Sequence, residues 1–310
     1  MSKASLYTKF NSHLQLLQTD GMANGLIGDY VCPLCLASFT QQEVGTNVIS
    51  EEHAPQKSLG GHKIALTCKG CNNGAGGEID CHFDTLVKKI EFKKQVDGAA
   101  QIGRFFDASG RLVQSSLEYE NGNCLLKIHK KLNDPKIDIG NLFAPGDTCM
   151  FDGVAVKYNP DCATAAALKN AYILLFTRIG YPILADRAYN KLRNFVCDPH
   201  SYYLAHPLFQ IGDYLPIADG IYLFEKPNVK GFMIVQSVTK IKTYRVAAFL
   251  PAICTSFAHL ASFVRVVTNG GRLKLRMLDN TDDFLTDENK IKALSRWARV
   301  RTMTVQEIFE

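Results

Sequence analysis

The sequence predicts an α+β protein, in which an N-terminal zinc-stapled module is followed by a mixed α/β domain of unknown fold. Two closely spaced cysteine pairs predict the module, an alanine-rich stretch predicts a long helix, and apolar runs between turn signals predict strands. A chain of 310 residues has room for two packed domains. We expect a helical lead-in over residues 1–29, the module over 30–95, and a domain over 96–310 that recognises a partner or oligomerises.

The composition indicates an ordered protein, because 46% of the residues are apolar and 21% are charged. The first fifteen residues lack the apolar core of a signal peptide, and the apolar stretch Ala171 to Thr177 is too short to cross a bilayer. We therefore expect a cytoplasmic protein without a membrane partner. The net charge of +5 favours a polyanionic partner without proving one. Basic residues cluster in two groups, which are candidate contacts for such a partner, and the alternative is that each is simply a solvated face. The groups are Arg272, Lys274 and Arg276, and Lys290, Lys292, Arg296, Arg299 and Arg301.

The cysteine pairs are Cys32-Pro-Leu-Cys35 and Cys68-Lys-Gly-Cys71. Two C-x-x-C pairs supply the four thiolates of a tetrahedral structural zinc, a site with no open position for catalysis. The alternatives are a redox pair or unrelated core cysteines, and both are disfavoured because two equal pairs must coincide. The other cysteines lack partners at ligand spacing, and most are expected to be buried apolar residues.

Between and after the pairs lie residues that supply metal ligands and a proton acceptor. Asn47 to His53 reads as a strand ending in Glu-Glu-His, and the chain returns as a second strand, His62 to Thr67, after Gly60-Gly61. The second pair leads directly into Asn72 and Asn73. A carboxylate, an imidazole and two amides can therefore converge beside one hairpin.

This combination of C-x-x-C, Glu-His-Ala-Pro with a Gly-Gly loop, and C-x-x-C-Asn-Asn with Glu-Ile-Asp resembles the HNH endonucleases, which are ββα-metal (His-Me finger) nucleases. The resemblance covers about fifty residues. It implies that His53 deprotonates a water that attacks phosphorus. It also implies that Glu52 and Asn72, with Asn73 as the alternative to Asn72, hold one Mg²⁺ or Mn²⁺.

Two details depart from the HNH pattern. The middle residue of the motif, which orients the base, has no obvious counterpart, although His62 lies near the expected place. Three glycines between Asn73 and Glu78 disfavour a helix that begins at the second cysteine pair. Glu78 and Asp80 are candidates for extra ligands or for helix caps, and capping is the simpler interpretation.

The rest of the chain carries no second catalytic motif. We expect helices over 84–94, 161–179 (capped by Asp161), 185–196 and a C-terminal stretch capped by Thr286. We expect strands over 103–106, 112–119, 124–129, 220–224, 232–238, 244–250 and 263–267, with a tight turn at Asn121-Gly122. Lys240, Lys242 and Arg245 are candidate phosphate contacts, and Tyr244 and Trp297 are candidates for base stacking unless they are core residues.

The leading functional hypothesis is a metal-dependent endonuclease that hydrolyses DNA. One alternative is a non-catalytic zinc module that binds nucleic acid or a protein, and another is the same nuclease acting on RNA. A homodimer or a partner protein is also compatible with the C-terminal domain.

Overall fold

The computed structural model describes residues 2–23, 25–106, 110–135, 142, 151–153, 157–204, 208–213, 215–278 and 283–309. Contacts divide the chain into two units, the first comprising Met1–Phe83, Pro160–Thr239 and Thr243–Glu310, the second Asp84–Asn159 and Lys240–Lys242. Helices combined with several small sheets confirm the predicted mixture of α and β structure. The first unit joins three separate stretches of chain, whereas the division at residues 29/30 and 95/96 follows chain order and stays a prediction.

The first unit begins with the predicted N-terminal helix. Its N-terminal elements are α1 (Lys3–Thr19), β1 (Tyr30–Val31), β2 (Ser38–Phe39) and α2 (Gln41–Gly45). The side chain of Ser2 caps α1 by accepting a hydrogen bond from the Ser5 backbone N–H at 3.2 Å. One face of α1 is buried because apolar residues recur at helical spacing, at Leu6, Phe10, Leu14 and Leu17.

Next comes a β-hairpin that leads directly into a helix. The elements are β3 (Ile49–Ala54), β4 (His62–Cys68), α3 (Lys69–Ala75), a π-helical turn (Gly76–Asp80) and α4 (Cys81–Lys93). The expectation that glycines prevent a helix at the second cysteine pair is wrong. The Cys68 Sγ caps α3 by accepting from the Cys71 N–H at 3.4 Å, and two of the glycines are absorbed in the wide π turn.

The second unit is a small antiparallel sheet with the remainder of α4. The sheet consists of β5 (Ala100–Phe106), β6 (Leu112–Glu120), β7 (Asn123–Ile128) and β8 (Phe151–Gly153), in the order β7-β6-β5-β8. Both residues of the predicted Asn121-Gly122 turn have positive φ, at 51° and 74°, as a tight hairpin requires. The carboxylate of Glu91 is buried in this unit and accepts the backbone N–H groups of Ile241 at 2.8 Å and Lys242 at 3.0 Å.

The long helix α5 (Pro160–Ile179) returns the chain to the first unit and is buried along most of its length, as predicted. It starts one residue before the predicted cap, Asp161. The prediction of one helix over 185–196 is wrong in extent: α6 (Tyr181–Leu184), a 3₁₀ turn (Arg187–Tyr189) and α7 (Asn190–Cys197) take its place. Pro182 lies in the first turn of α6, where its missing N–H costs no hydrogen bond. Among the described helices, none has the length and apolarity required for a membrane span.

A five-stranded antiparallel sheet completes the first unit, and α5 packs against its two longest strands. Its strands are β9 (Phe209–Gly212), β10 (Gly220–Lys226), β11 (Val229–Thr239), β12 (Thr243–Pro251) and β13 (Leu275–Met277), in the order β13-β10-β11-β12-β9. The last helices are α8 (Phe257–Thr268), α9 (Glu288–Arg299) and α10 (Gln306–Phe309).

Two C-terminal predictions need correction. Residues 263–267 were expected to form a strand but lie in α8, because Ser256 caps a helix whose buried residues repeat at helical spacing. The cap of α9 is Asp287, whose carboxylate accepts two backbone N–H groups, and not Thr286.

Candidate metal centre and adjoining hairpin

The four predicted ligand cysteines lie together in the first unit. The sulfur atoms of Cys32, Cys35, Cys68 and Cys71 are all within 4.8 Å of one another, and those of Cys35 and Cys68 are 3.7 Å apart. Four sulfurs at 2.3 Å from one zinc ion would be about 3.8 Å apart. The cluster can therefore hold a metal such as zinc.

The first cysteine pair is placed by a tight turn after β1. The Cys32 carbonyl accepts the Leu36 N–H at 2.9 Å, and Leu36 adopts φ of 59° so that the chain can reverse into β2. The hydroxyl of Tyr172, on α5, donates to the Pro33 carbonyl at 2.9 Å. These contacts hold Cys32 and Cys35 on one side of the site.

The second pair is placed by the end of β4 and the start of α3. The Cys68 N–H donates to the Cys32 sulfur and the Cys71 N–H donates to the Cys68 sulfur, both at 3.4 Å. Such donors stabilise thiolate over thiol. A hydrogen bond from Cys32 lowers the pKa of Cys35 to about 7, whereas hydrogen bonds with neighbouring thiols raise the pKa of Cys32 and of Cys71. The four thiols are thus hydrogen-bonded to one another, and a bound cation would displace their protons.

A fifth cysteine lies beside this cluster and was missed by spacing alone. Cys197, at the end of α7, is exposed, and a hydrogen bond with the Cys71 thiol lowers the pKa of Cys197. Among the remaining cysteines that the structure describes, Cys81, Cys124 and Cys197 are exposed, so the expectation that most are buried is wrong for them; Cys149 lies outside the described residues.

His53, the predicted base, is half-buried and lies on β3 four residues beyond Ile49, the residue that pairs with Cys68. Burial lowers the pKa of His53, the positive charges of Lys63 and Lys57 lower it further, and Glu52 and Glu51 oppose the shift. The imidazole is therefore neutral near pH 7, which is the form that accepts a proton. The ladder between β3 and β4 is irregular between Glu52 and His53, so one residue of β4 is extra at this point.

His62, the candidate for orienting the base, is placed elsewhere. It pairs with Ala54 in the β3–β4 ladder, while His53 pairs with Lys63. Directly paired residues share a face of the sheet, so Lys63 is the cross-strand neighbour of His53. Among the described residues, no side chain forms a hydrogen bond with the His53 ring. The structure therefore supplies no partner for the base on the strand that carries His62.

Glu52, the predicted metal ligand, is 2% exposed and faces the interior. Its Oε1 accepts from the Lys169 Nζ at 2.9 Å, and its Oε2 accepts from the Thr67 hydroxyl at 3.1 Å. Lys169 projects from α5, is fully buried, and also donates to Asp80 Oδ2 at 2.9 Å. Burial raises the pKa of Asp80 although the neighbouring lysine opposes that shift. One ammonium group thus bridges two carboxylates.

Asn72 and Asn73 lie in α3, immediately after the last ligand cysteine. The Asn72 side-chain amide donates to the Ser50 hydroxyl at 2.8 Å, whereas Asn73 is exposed. Ser50 and Glu52 are two residues apart on β3 and therefore share a face of the strand. Asn72 thus packs over the same face of the hairpin as Glu52.

The donor set around Glu52 does not fit a resident divalent cation as it stands. Both oxygens of the carboxylate are already engaged, and the adjacent positive charge comes from Lys169. In the described part of the chain, the four cysteines are the one group of three or more Cys, His, Asp or Glu residues arranged to hold a metal. Coordination at Glu52 would require the carboxylate to leave Lys169.

The aromatic residues considered for base stacking belong to the core. Tyr244 and Trp297 are both fully buried, so the stacking expectation is wrong for them. Of the predicted phosphate contacts, Arg245 donates to the Leu215 carbonyl at 2.7 Å and Lys240 to Asp84 at 2.9 Å. In the C-terminal basic group, Arg299 pairs with Asp186 at 3.2 Å.

Comparison of the chain with protein-family models, with characterised proteins and with solved structures finds no match.

Proposed function

We propose that this chain is a zinc-stabilised endonuclease that hydrolyses phosphodiester bonds, with DNA as its preferred substrate. The observation that carries the proposal is the continuous β3–β4–α3 segment between and after the cysteine pairs, with a neutral, half-exposed histidine on β3. This order of elements matches the ββα arrangement implied by the HNH resemblance. The zinc is structural in this proposal, because four thiolates leave no open coordination position.

His53 supplies the chemical step. Its neutral imidazole accepts a proton from water, the resulting hydroxide forms a bond to phosphorus, and the bond from phosphorus to the leaving oxygen breaks. The leaving oxygen takes up a proton from solvent water and departs as a hydroxyl group, and His53 returns its proton to solvent. The cysteine centre includes the junction between the last two elements of the segment, because Cys68 ends β4 and caps α3.

A hard cation at Glu52 and Asn72, Mg²⁺ or Mn²⁺, stays a prediction from the resemblance. Such a cation would stabilise charge on the leaving oxygen. Lys169 competes with it for Glu52, so we derive no step through the cation. Its test is the dependence of cleavage on added Mg²⁺ or Mn²⁺.

The experiment is cleavage of supercoiled plasmid by zinc-loaded wild-type protein, His53→Ala and His259→Ala, each with Mg²⁺, with Mn²⁺ and with a chelator. We expect His53→Ala to nick at least about 100-fold more slowly, because general-base catalysis contributes that much or more. His259→Ala is the control at an exposed histidine on α8 and should retain activity. Zinc content is measured in every sample, since loss of structural zinc would mimic loss of the base. Equal nicking by wild type and His53→Ala would refute the mechanism.

One observation favours a second candidate, a non-catalytic zinc module that binds nucleic acid or a protein. Glu52 is neutralised by Lys169 inside the protein. If that ion pair never opens, no cation reaches Glu52. This candidate predicts binding of labelled DNA or RNA without cleavage under any of the metals. A side-by-side digestion of matched DNA and RNA duplexes and single strands separates both candidates from a ribonuclease.

A further inference from the structure

A cavity of about 500 Å³ lies in the first unit beside the loop that joins β3 to β4. The loop forms one wall through Pro55, Gly60 and Gly61, while α5, β11 and the end of β13 form the others. Pro55 is two residues beyond His53, so the cavity begins where the candidate catalytic strand ends. Cavities that take small molecules span roughly 300–1,000 Å³.

The loop wall is made by close backbone packing. Gly60 has φ of +84°, and a Cβ on Gly61 would lie 1.4 Å from the Pro55 carbonyl oxygen. Only glycine fits at that approach. The loop is also fixed from inside the protein, because the Gln56 amide donates to the Asp80 carbonyl at 2.7 Å. The wall is therefore a built surface of defined shape.

The polar side chains of the cavity differ in whether they have hydrogen-bond partners. Thr177 donates to the Leu174 carbonyl at 2.7 Å, Asp219 accepts the Ser237 N–H at 2.8 Å, and Thr239 bonds to Thr243 at 2.9 Å. Gln236, on β11, is 4% exposed, yet both its amide nitrogen and its amide oxygen have no hydrogen-bond partner.

A buried amide with neither end satisfied is unfavourable. Such a group is explained when a ligand supplies the missing partners. A primary amide offers a donor and an acceptor in one plane, which matches the edge of a nucleobase. The wall combines polar and apolar side chains, and Leu59, Ile221, Ile234 and Leu278 are available to contact the faces of a flat ring. Arg178 lies on the same wall and carries the charge that a phosphate prefers.

We propose that this cavity binds a nucleobase, with the Gln236 amide pairing with its edge. This inference rests on the proposed function, since a nucleic-acid strand is what would bring a base to this loop. A base held beside Pro55 would place the strand next to His53, and the cavity would then contribute sequence preference. A free nucleotide presents the same chemistry and is the other source of the base.

The test measures binding and does not depend on cleavage. Zinc-loaded full-length protein is titrated calorimetrically with AMP, CMP, GMP, UMP and dTMP. It is also titrated by fluorescence anisotropy with single-stranded oligonucleotides that carry either a full set of bases or one abasic position. The variants are Gln236→Met, which keeps the size of the side chain but removes both polar atoms, and Gln41→Met as the control at an exposed glutamine.

We expect binding of at least one nucleotide or oligonucleotide, weakened tenfold or more by Gln236→Met and unchanged by Gln41→Met. The melting temperature of Gln236→Met should equal or exceed that of wild type, because a buried unpaired amide is removed. Binding of free nucleotides identifies a soluble ligand, whereas binding only within a strand, weakened by an abasic position, identifies a substrate base. Absence of binding in both arms, or equal binding by Gln236→Met, would overturn the inference.

His53→Ala keeps the two proposals apart. It should bind like wild type, because His53 does not line the cavity. Nucleotide binding without any cleavage would leave the inference standing while the nuclease proposal fails, and cleavage without Gln236-dependent binding would do the reverse.

Discussion

Two groups of ionisable residues in the first unit, the cysteine centre and the Glu52 cluster (Glu52, Asp80 and Lys169), differ in how their charges are compensated. The four sulfurs approach within 4.8 Å of one another, and the donors that the structure shows on them are backbone N–H groups and neighbouring thiols. Glu52 and Asp80 face a buried lysine at 2.9 Å. A cluster of anions without an internal cation can hold an external one, whereas Lys169 already supplies one positive charge to the two carboxylates of the second cluster, and only Asp80 Oδ1 is left there without a hydrogen-bond partner. The comparison predicts that the fold depends on a metal at the first cluster, whereas the second cluster has an internal cation.

The largest expected effect follows from removing one sulfur. Cys68→Ser should abolish zinc binding and unfold the segment from Tyr30 to α3, because zinc contributes about 10–16 kcal/mol in comparable small sites. Zinc stoichiometry by mass spectrometry of metals and helix content by circular dichroism are the measurements. Cys124→Ser, at an exposed cysteine on β7, is the control and should retain zinc. A folded Cys68→Ser protein with no zinc would show that the fold does not depend on a metal at the cysteine centre.

The next effect comes from removing the internal cation. Lys169→Met should lower the free energy of unfolding by about 3–5 kcal/mol, because it leaves Glu52 and Asp80 buried without their partner. Lys63→Met breaks the partly exposed pair with Glu51 and should cost less than about 1 kcal/mol. Denaturant titration measures both. If Lys169→Met does not fold, the neutral triple variant Glu52→Gln/Asp80→Asn/Lys169→Met should, since no charge is then left unpaired.

The same variant sharpens the comparison through added metal. If Glu52 and Asp80 can serve as ligands once the lysine is gone, Mn²⁺ should restore part of the lost stability of Lys169→Met and leave wild type unchanged. Equal stabilisation of wild type and variant by Mn²⁺ would show that the cation binds somewhere else. Stabilisation of wild type through Glu52 would contradict the view that Lys169 keeps a metal cation away from this cluster.

A third ionisable group, His13, is buried in its uncharged form. It predicts that the folded protein is less stable in acid. Burial lowers the pKa of His13 from 6.5 to about 4. The ring bonds to the Leu285 carbonyl at 2.7 Å through Nδ1, and its Nε2 accepts the Tyr181 N–H at 3.4 Å, which fixes an uncharged tautomer. Because the unfolded chain binds the proton more readily, this contribution is full above pH 6.5 and is lost as the pH falls through 4.

The expected loss attributable to His13 is about 3 kcal/mol between those limits. Thermal melts of wild type, His13→Gln and His259→Gln from pH 7 to pH 4 measure it. His13→Gln should be less stable at pH 7 but show a flatter pH dependence, while His259→Gln, at an exposed position on α8, should follow wild type. Parallel curves for wild type and His13→Gln would show that His13 is not the group that titrates.

The sequence predicted the cysteine centre because both halves of the ligand set are local patterns at fixed spacing. It did not predict Lys169 as the partner of Glu52, since the two residues are 117 positions apart and the lysine lies in a helix whose pattern is otherwise apolar. Residues 263–267 read as a strand because β-branched and aromatic residues dominate them, yet the Ser256 cap and the helical spacing of buried residues decide for α8. Gln236 lies within a predicted strand, where no sequence signal marks an unpaired amide. Ligands at fixed local spacing could be predicted from the sequence, whereas contacts between residues far apart in the chain could not.

The smallest expected effect concerns the contact that joins the two clusters, the hydrogen bond from Asn72 to Ser50 at 2.8 Å. Asn72→Ala and Ser50→Ala should each cost about 0.5–1.5 kcal/mol, and the double variant should cost less than the sum, because either change alone already removes the bond. Asn73→Ala is the control at the exposed neighbour and should stay within about 0.5 kcal/mol of wild type. Additive losses would show that Asn72 does not hold α3 to β3 through Ser50. If the losses are less than additive while zinc is bound in every sample, the hydrogen bond between Asn72 and Ser50 holds α3 to β3. This neutral contact then links the helix that carries Cys71 to the strand that carries Glu52.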